Sequence, residues 1–176
     1  MPVTVKICGL TSADAVDATV RAGALYGLAD RMRGGLKIVA LIADMDDAGI
    51  EAIVKSVRPD FLQLHGSETL QRTAEIRSRF GVAVIKALPV AEASDLDVAA
   101  GYEKFADMLM FDAKPPKDAD RAGGHGAAFD WKLLAGRSFT RPWFLAGGLN
   151  PGNVARAVEL SGAAQVDVSS GVESAP

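Results

Sequence analysis

The chain has 176 residues, room for one domain, and is 49% hydrophobic and 23% charged, the balance of a globular protein with a substantial core. Its 19 Lys and Arg against 22 Asp and Glu give a net charge of −3, which argues against nucleic acid as a partner because phosphate binding at scale needs a basic surface. No apolar run reaches the ~20 residues that span a bilayer, residues 1–6 lack the order of a secretory leader, and a single cysteine excludes an internal disulfide or a cysteine-only metal site, so a cytoplasmic domain acting on small molecules is expected.

Along the chain, short β-like runs alternate with Ala-rich stretches of helical composition. Strands are predicted at 3–8, 24–27, 36–43, 60–64, 82–88, 107–112, 142–146 and 164–169, with helices at 12–22, 47–57, 68–80, 93–102, 131–135 and 151–160. Ser12, the Asp46-Asp47 pair and Asn150-Pro151 offer helix openings, each an N-cap side chain, the last followed by a proline preset for the first turn. Strand–helix alternation throughout implies a parallel sheet.

Eight such strands suggest a single closed (β/α)8 barrel, the TIM-barrel architecture, spanning 1–176. The two faces of each strand support it. Thr4, Lys6 and Cys8 oppose Val3, Val5 and Ile7; Gln63 and His65 oppose Leu62 and Leu64; Met108, Met110 and Asp112 oppose Leu109 and Phe111; Gln165, Asp167 and Ser169 oppose Val166 and Val168. The apolar faces suit an outer ring of helices. The mixed faces suit an interior whose polar groups pair, Lys6 or Lys86 with a carboxylate, whereas an open doubly wound sheet is more often apolar on both faces. Between Gly27 and Leu36 there is no room for a crossover of at least ~10–12 residues, and no helix follows the eighth strand. Part of the second βα unit and the last helix are therefore expected to be absent from the sequence.

Chemistry in such a barrel sits where the strands end. A lone cysteine is ordinarily a small buried apolar residue, but Cys8 ends a strand and shares a face with Lys6, whose charge would favour a thiolate. Carboxylates at strand ends often only cap loops, yet Asp112 closes an apolar strand, an environment that raises a carboxyl pKa toward use as an acid. Gly147-Gly148 and Ser169-Ser170-Gly171 read singly as tight turns. Together, after the seventh and eighth predicted strands, they fit a phosphate site built from backbone N–H groups. His65 and His125 are the only histidines and lack metal-ligand spacing, so no metal is expected. Gly123-Gly124-His125-Gly126 reads as a loop, either plain or covering substrate, and Lys6, His65 and Gly126 join the candidates for substrate contact.

Several of these segments carry a resemblance. Lys6-Ile7-Cys8-Gly9-Leu10-Thr11, Gln63-Leu64-His65-Gly66, Gly124-His125-Gly126 with Phe129-Asp130-Trp131, Leu145-Ala146-Gly147-Gly148-Leu149, and the run from Val166 to Glu173 resemble, in order, the phosphoribosylanthranilate isomerase family of tryptophan biosynthesis. The resemblance implies an Amadori rearrangement of N-(5-phosphoribosyl)anthranilate to 1-(2-carboxyphenylamino)-1-deoxyribulose 5-phosphate, with no cofactor and no metal. It implies Asp112 as acid toward the ring oxygen, Cys8 as base at C2, Gly147, Gly148, Ser169, Ser170 and Gly171 on the phosphate, and Asp167 on a sugar hydroxyl. The expected partner is this small phosphosugar-anthranilate, with neither nucleic acid nor membrane, and the expected state is a monomer, a dimer being the alternative. One departure is internal: the family's aromatic-rich second strand and its Ser-Pro-Arg loop are missing where Tyr26-Gly27 runs into Leu28. Two rival enzymes fit less well. A histidine-pathway aminoaldose isomerase would have an aspartate at Cys8, and a ribulose-phosphate epimerase would carry a metal with several histidine and acidic ligands. A non-catalytic phosphate-binding remnant of the barrel is the reading from another class.

Overall fold

The computed structural model describes residues 3–9, 37–114 and 128–172. The predicted helix 12–22, the predicted strand 24–27, the short stretch 28–33 and the loop around Gly126 lie outside the described residues. Seven strands are described: β1 (Thr4–Ile7), β2 (Val39–Ile42), β3 (Phe61–Leu64), β4 (Ala83–Val90), β5 (Met108–Ala113), β6 (Trp143–Leu145) and β7 (Gln165–Val168). All pair in parallel, in the order β1-β7-β6-β5-β4-β3-β2. From β2 to β7 each strand pairs with its successor, and β7 then returns to β1. That return curls the sheet as a (β/α)8 barrel does, with β1 and β2 at the two ends of the described strand order.

The helices that return the chain are set by their caps. Helix α1 (Asp47–Val57) keeps its predicted limits: Asp46 Oδ1 accepts from the Gly49 N–H at 2.8 Å, and Ile50 is buried on the sheet side. Helix α2 (Leu70–Phe80) starts two residues later than predicted because Thr69 is its N-cap, and it buries Thr73 and Ile76. The predicted helix 93–102 is divided into a 3-10 turn (Ala93–Leu96) and the single turn α3 (Ala99–Tyr102). Asp95 causes the break, since its carboxylate turns back to the N–H groups of Ala91 and Glu92. Only a 3-10 turn, Trp131–Leu134, forms at 131–135. Helix α4 (Val154–Ser161) begins after Pro151 because the side chains of Asn150 and Asn153 occupy the backbone groups of the preceding turn.

Two apolar layers result. Outside the sheet, Leu62, Leu64, Leu109, Phe111, Leu145 and Val166 pack against Ile50, Ile76 and Ala157 of the helices. Inside, Ile85, Ala87, Met108, Met110, Phe144 and Ala146 form a second cluster. The register places Ile85 beside Met108, Ala87 beside Met110, and Met110 beside Phe144, so the inward set is continuous across three strands. Each fully buried side chain of this size contributes about 1.5–3 kcal/mol.

Both lysines pair as expected, but on opposite faces. Lys6 lies inside, its Nζ 2.7 Å from Asp167. Lys86 is in register with Leu64 and Leu109, both helix-facing, so its expected place in the barrel interior is corrected to the outer layer. There its Nζ donates to Glu68 at 2.7 Å and to the carbonyls of Gly66 and Leu64. Glu68 also accepts from the N–H groups of Asp44 and Gly66, which is why it is unavailable to α2. With both partners buried, Lys86→Met leaves a carboxylate without its cation and is expected to lower the unfolding free energy by about 3–5 kcal/mol in urea titration. A loss below about 1 kcal/mol would show that the pair is effectively solvated.

Candidate active site

Because all seven strands are parallel, their C-terminal ends share one mouth. Alternation aims the candidate side chains into it: Cys8 follows Lys6 at the end of β1, His65 follows Gln63 at the end of β3, Asp112 follows Met110 on β5, and Ser169 follows Asp167 on β7. Strand pairing carries on past these ends, with the Cys8 N–H donating to Val168 at 2.8 Å and the His65 N–H to Ile42 at 2.8 Å.

His65 and Asp112 are brought together. His65 Nε2 lies 3.4 Å from Asp112 Oδ2, and Asp112 Oδ1 accepts from the Ala113 N–H at 2.8 Å. Gln63, which stands in the motif but is given no role there, supplies the other contact of the imidazole: its Nε2 is 3.0 Å from His65 Nδ1. The signal was in the alternation, which puts Gln63 on the same face as His65.

Cys8 departs from expectation. Burial pushes its thiol above the ordinary value, and this outweighs the opposing pull of Lys6. Asp167, 2.7 Å from the Lys6 ammonium, raises the thiol pKa as well, and Asp112 adds to the rise. Lys6 does pull the thiol pKa down as expected, but its charge is shared with a carboxylate, and the half-buried thiol ends above its ordinary value. Lys6 itself is buried and engaged with Asp167, so it reaches the mouth through that residue.

The loops after β6 and β7 are built against each other. Gly147 has φ +90°, and a Cβ there would stand 2.5 Å from the Ala113 nitrogen, at the end of β5. A Cβ at Gly171 would collide with the Leu149 carbonyl oxygen, so the 3-10 turn Ser170–Val172 rests directly on the Gly148–Asn150 backbone. Asn153 Nδ2 donates to the Gly148 carbonyl at 2.8 Å and fixes that peptide. Among the described residues, the N–H groups of Gly148 and Gly171 donate to no protein acceptor, as an anion cradle requires. Asn150 and Asn153 escaped the sequence reading, in which Asn150 was only a helix cap. Gly126 lies outside the described residues. Among those described, no group of three His, Cys, Asp or Glu is placed to hold a metal ion. A hollow at the other end of the strands is lined by Arg77, Gly81, Val82 and Asp107, and there Arg77 and Asp107 bind one another.

The family profile described as N-(5'phosphoribosyl)anthranilate (PRA) isomerase matches residues 28–175. An N-(5'-phosphoribosyl)anthranilate isomerase of Paramagnetospirillum magneticum is 48% identical, over 100% of this chain and 91% of its own length. That alignment runs to 195 positions against 176 residues, so the relative carries residues this chain lacks. The crystal structure of phosphoribosyl anthranilate isomerase from Thermotoga maritima superimposes with a TM-score of 0.83 at 31% identity, covering 99% of this chain and 91% of that one. A further isomerase structure, in complex with reduced 1-(o-carboxyphenylamino)-1-deoxyribulose 5-phosphate, gives a TM-score of 0.80 at 29% identity, with 99% and 90% covered.

Cys8 is the only cysteine in the chain, so alkylation reports on it directly. Since its pKa is raised, the thiolate gains only as pH climbs. The iodoacetamide rate is expected to rise with pH to a midpoint above the ~8.5 of a free thiol. A midpoint at or below that value would show that Lys6 prevails over burial.

Proposed function

The chain belongs to the N-(5'-phosphoribosyl)anthranilate isomerase family, enzymes of tryptophan biosynthesis, and from that premise we propose that Cys8 and Asp112 carry the reaction as base and acid. The observation that supports this most directly is the strand order. In β1-β7-β6-β5, the two glycine-bearing loops after β6 and β7 lie between the strand that ends in Cys8 and the strand that carries Asp112. A phosphate held on those loops leaves the sugar in the mouth with one reactive group on each side.

Asp112 gives its proton to the furanose ring oxygen as the C1–O bond breaks and the anthranilate nitrogen forms a double bond to C1. Cys8, as thiolate, takes the proton from C2, and the electron pair moves to form an enolamine. Reprotonation at C1 and loss of the C2 hydroxyl proton give the ketone, so the proton count is unchanged. Asp167, held by Lys6 at 2.7 Å, faces inward beside Cys8 and is oriented to accept from a sugar hydroxyl. Gly148, Ser169, Ser170 and Gly171 receive the phosphate through N–H and hydroxyl donors. The N-terminus of α4, reached through Asn150 and Asn153, adds its dipole at that end. Acid, base and anion cradle are all groups of the protein, and the reaction is read as needing neither metal nor cofactor. Among the described residues no helix is long and apolar enough to cross a membrane; the state proposed is a cytoplasmic monomer acting on a small anion, with a dimer as the alternative.

Cys8→Ser and Asp112→Asn keep shape while removing the base and the transferable proton. Each is expected to lower kcat at least about a hundredfold with KM moved far less, in an assay of substrate fluorescence. A folded Cys8→Ser protein with near-normal kcat would remove the cysteine from the chemistry. Ser170 is exposed at the cradle, so Ser170→Asp sets a like charge against the phosphate. It is expected to raise KM at least about tenfold with little change in kcat; an unchanged KM would put the phosphate elsewhere.

A further inference from the structure

Gln63 is fully buried in the inner layer, in register between Leu41 of β2 and Ile85 of β4, a place where an amide is an unfavourable choice. Among the described residues its Oε1 has no hydrogen-bond partner, while its Nε2 meets both His65 Nδ1 at 3.0 Å and Met110 Sδ at 3.4 Å. The reverse orientation would turn the carbonyl onto a thioether sulfur that has no proton to give, whereas Nε2 serves the sulfur and the imidazole together, so the amide donates to the imidazole. A neutral histidine that accepts at Nδ1 must carry its proton on Nε2. That nitrogen is the one that lies 3.4 Å from Asp112 Oδ2.

We propose that Gln63 is a positioning residue of the isomerase reaction: its amide holds His65 in the Nε2–H tautomer, so that the imidazole donates to the Asp112 carboxylate as that group gives its proton to the substrate. The inference rests on the reading of Asp112 as the acid. Once the proton has left, Asp112 Oδ1 already accepts from the Ala113 N–H, and His65 supplies a donor to Oδ2. The ionised product of the first step is thus met by one donor already bonded, the Ala113 N–H, and by a second, His65 Nε2, which stands 3.4 Å away and closes on Oδ2 as charge develops there. Gln63 touches neither the mouth nor the substrate and acts only through His65.

The test has two readouts. The chain has only two histidines, so 15N-histidine labelling with long-range 1H–15N correlation, assigned by loss of one ring in His65→Asn, reads the tautomer of His65 in the unmutated protein at a pH above the ordinary imidazole range. The Nε2–H form is expected; the Nδ1–H form overturns the inference, whether or not any Gln63 variant folds. Kinetically, Gln63→Met is expected to lower kcat about three- to tenfold, the loss of one supporting hydrogen bond, with KM nearly unchanged. In a His65→Asn background the same change is expected to have no further effect. Losses that multiply across the double mutant would show that Gln63 acts independently, overturning the inference while leaving the acid and base assignments intact. Normal kcat in Asp112→Asn would overturn both.

Discussion

The ion pair of Lys6 with Asp167 joins the first strand to the last. The two residues stand directly opposite in the β1–β7 register, inside the sheet and 2.7 Å apart. A buried pair of this kind adds little net stability, because desolvating both charges offsets most of their attraction. Its value is in register. A slip of one residue would carry Lys6 into the leucine-lined outer layer and leave Asp167 without its cation, so the penalty for misalignment is large even where the net gain is small. The same register turns Cys8 and Ser169, two positions further on, toward the mouth. Fold closure and site geometry are therefore set by one contact.

From this seam the inner layer mixes apolar and polar side chains. Gln63 stands in register with Ile85 and Met108, Lys6 with Asp167, and His65 and Asp112 lie further on, toward the strand ends. The outer layer has its own polar knot. Lys86 and Glu68 hold Gly66 from both sides, through its carbonyl and its N–H, immediately after His65. The imidazole is thus fixed from within by Gln63 and from behind by its own loop. Positioning of this kind needs rigid supports on both sides of the functional group.

Much of this was legible in the residues. The alternation of Thr4, Lys6 and Cys8 against Val5 and Ile7 determined which face would be wet, and Asp46 determined where α1 would start. What escaped depended on partners distant in sequence. Glu68 reads as a helix opener until Lys86, 18 residues away, claims it. Lys86 reads as interior because a charged residue in a β run suggests a wet face, and only its register beside Leu109 shows otherwise. Residues 93–102 have helical composition, but Asp95 closes the first turn on itself. The state of Cys8 required the balance of burial, Lys6 and two carboxylates, which no local pattern encodes.

That balance also bears on the durability of the protein. Peroxide and other oxidants attack the thiolate, and a sulfur that passes beyond the sulfenic state is lost for good. A thiol held above its ordinary pKa by burial is mostly protonated at neutral pH, which slows that attack in proportion to the missing thiolate. The chain has no second cysteine with which a sulfenic acid could condense into a rescuing disulfide. With Cys8 as the proposed base, the burial that restrains it also shields it from oxidation, and a substitution that opened the floor around Cys8 would trade longevity for reactivity.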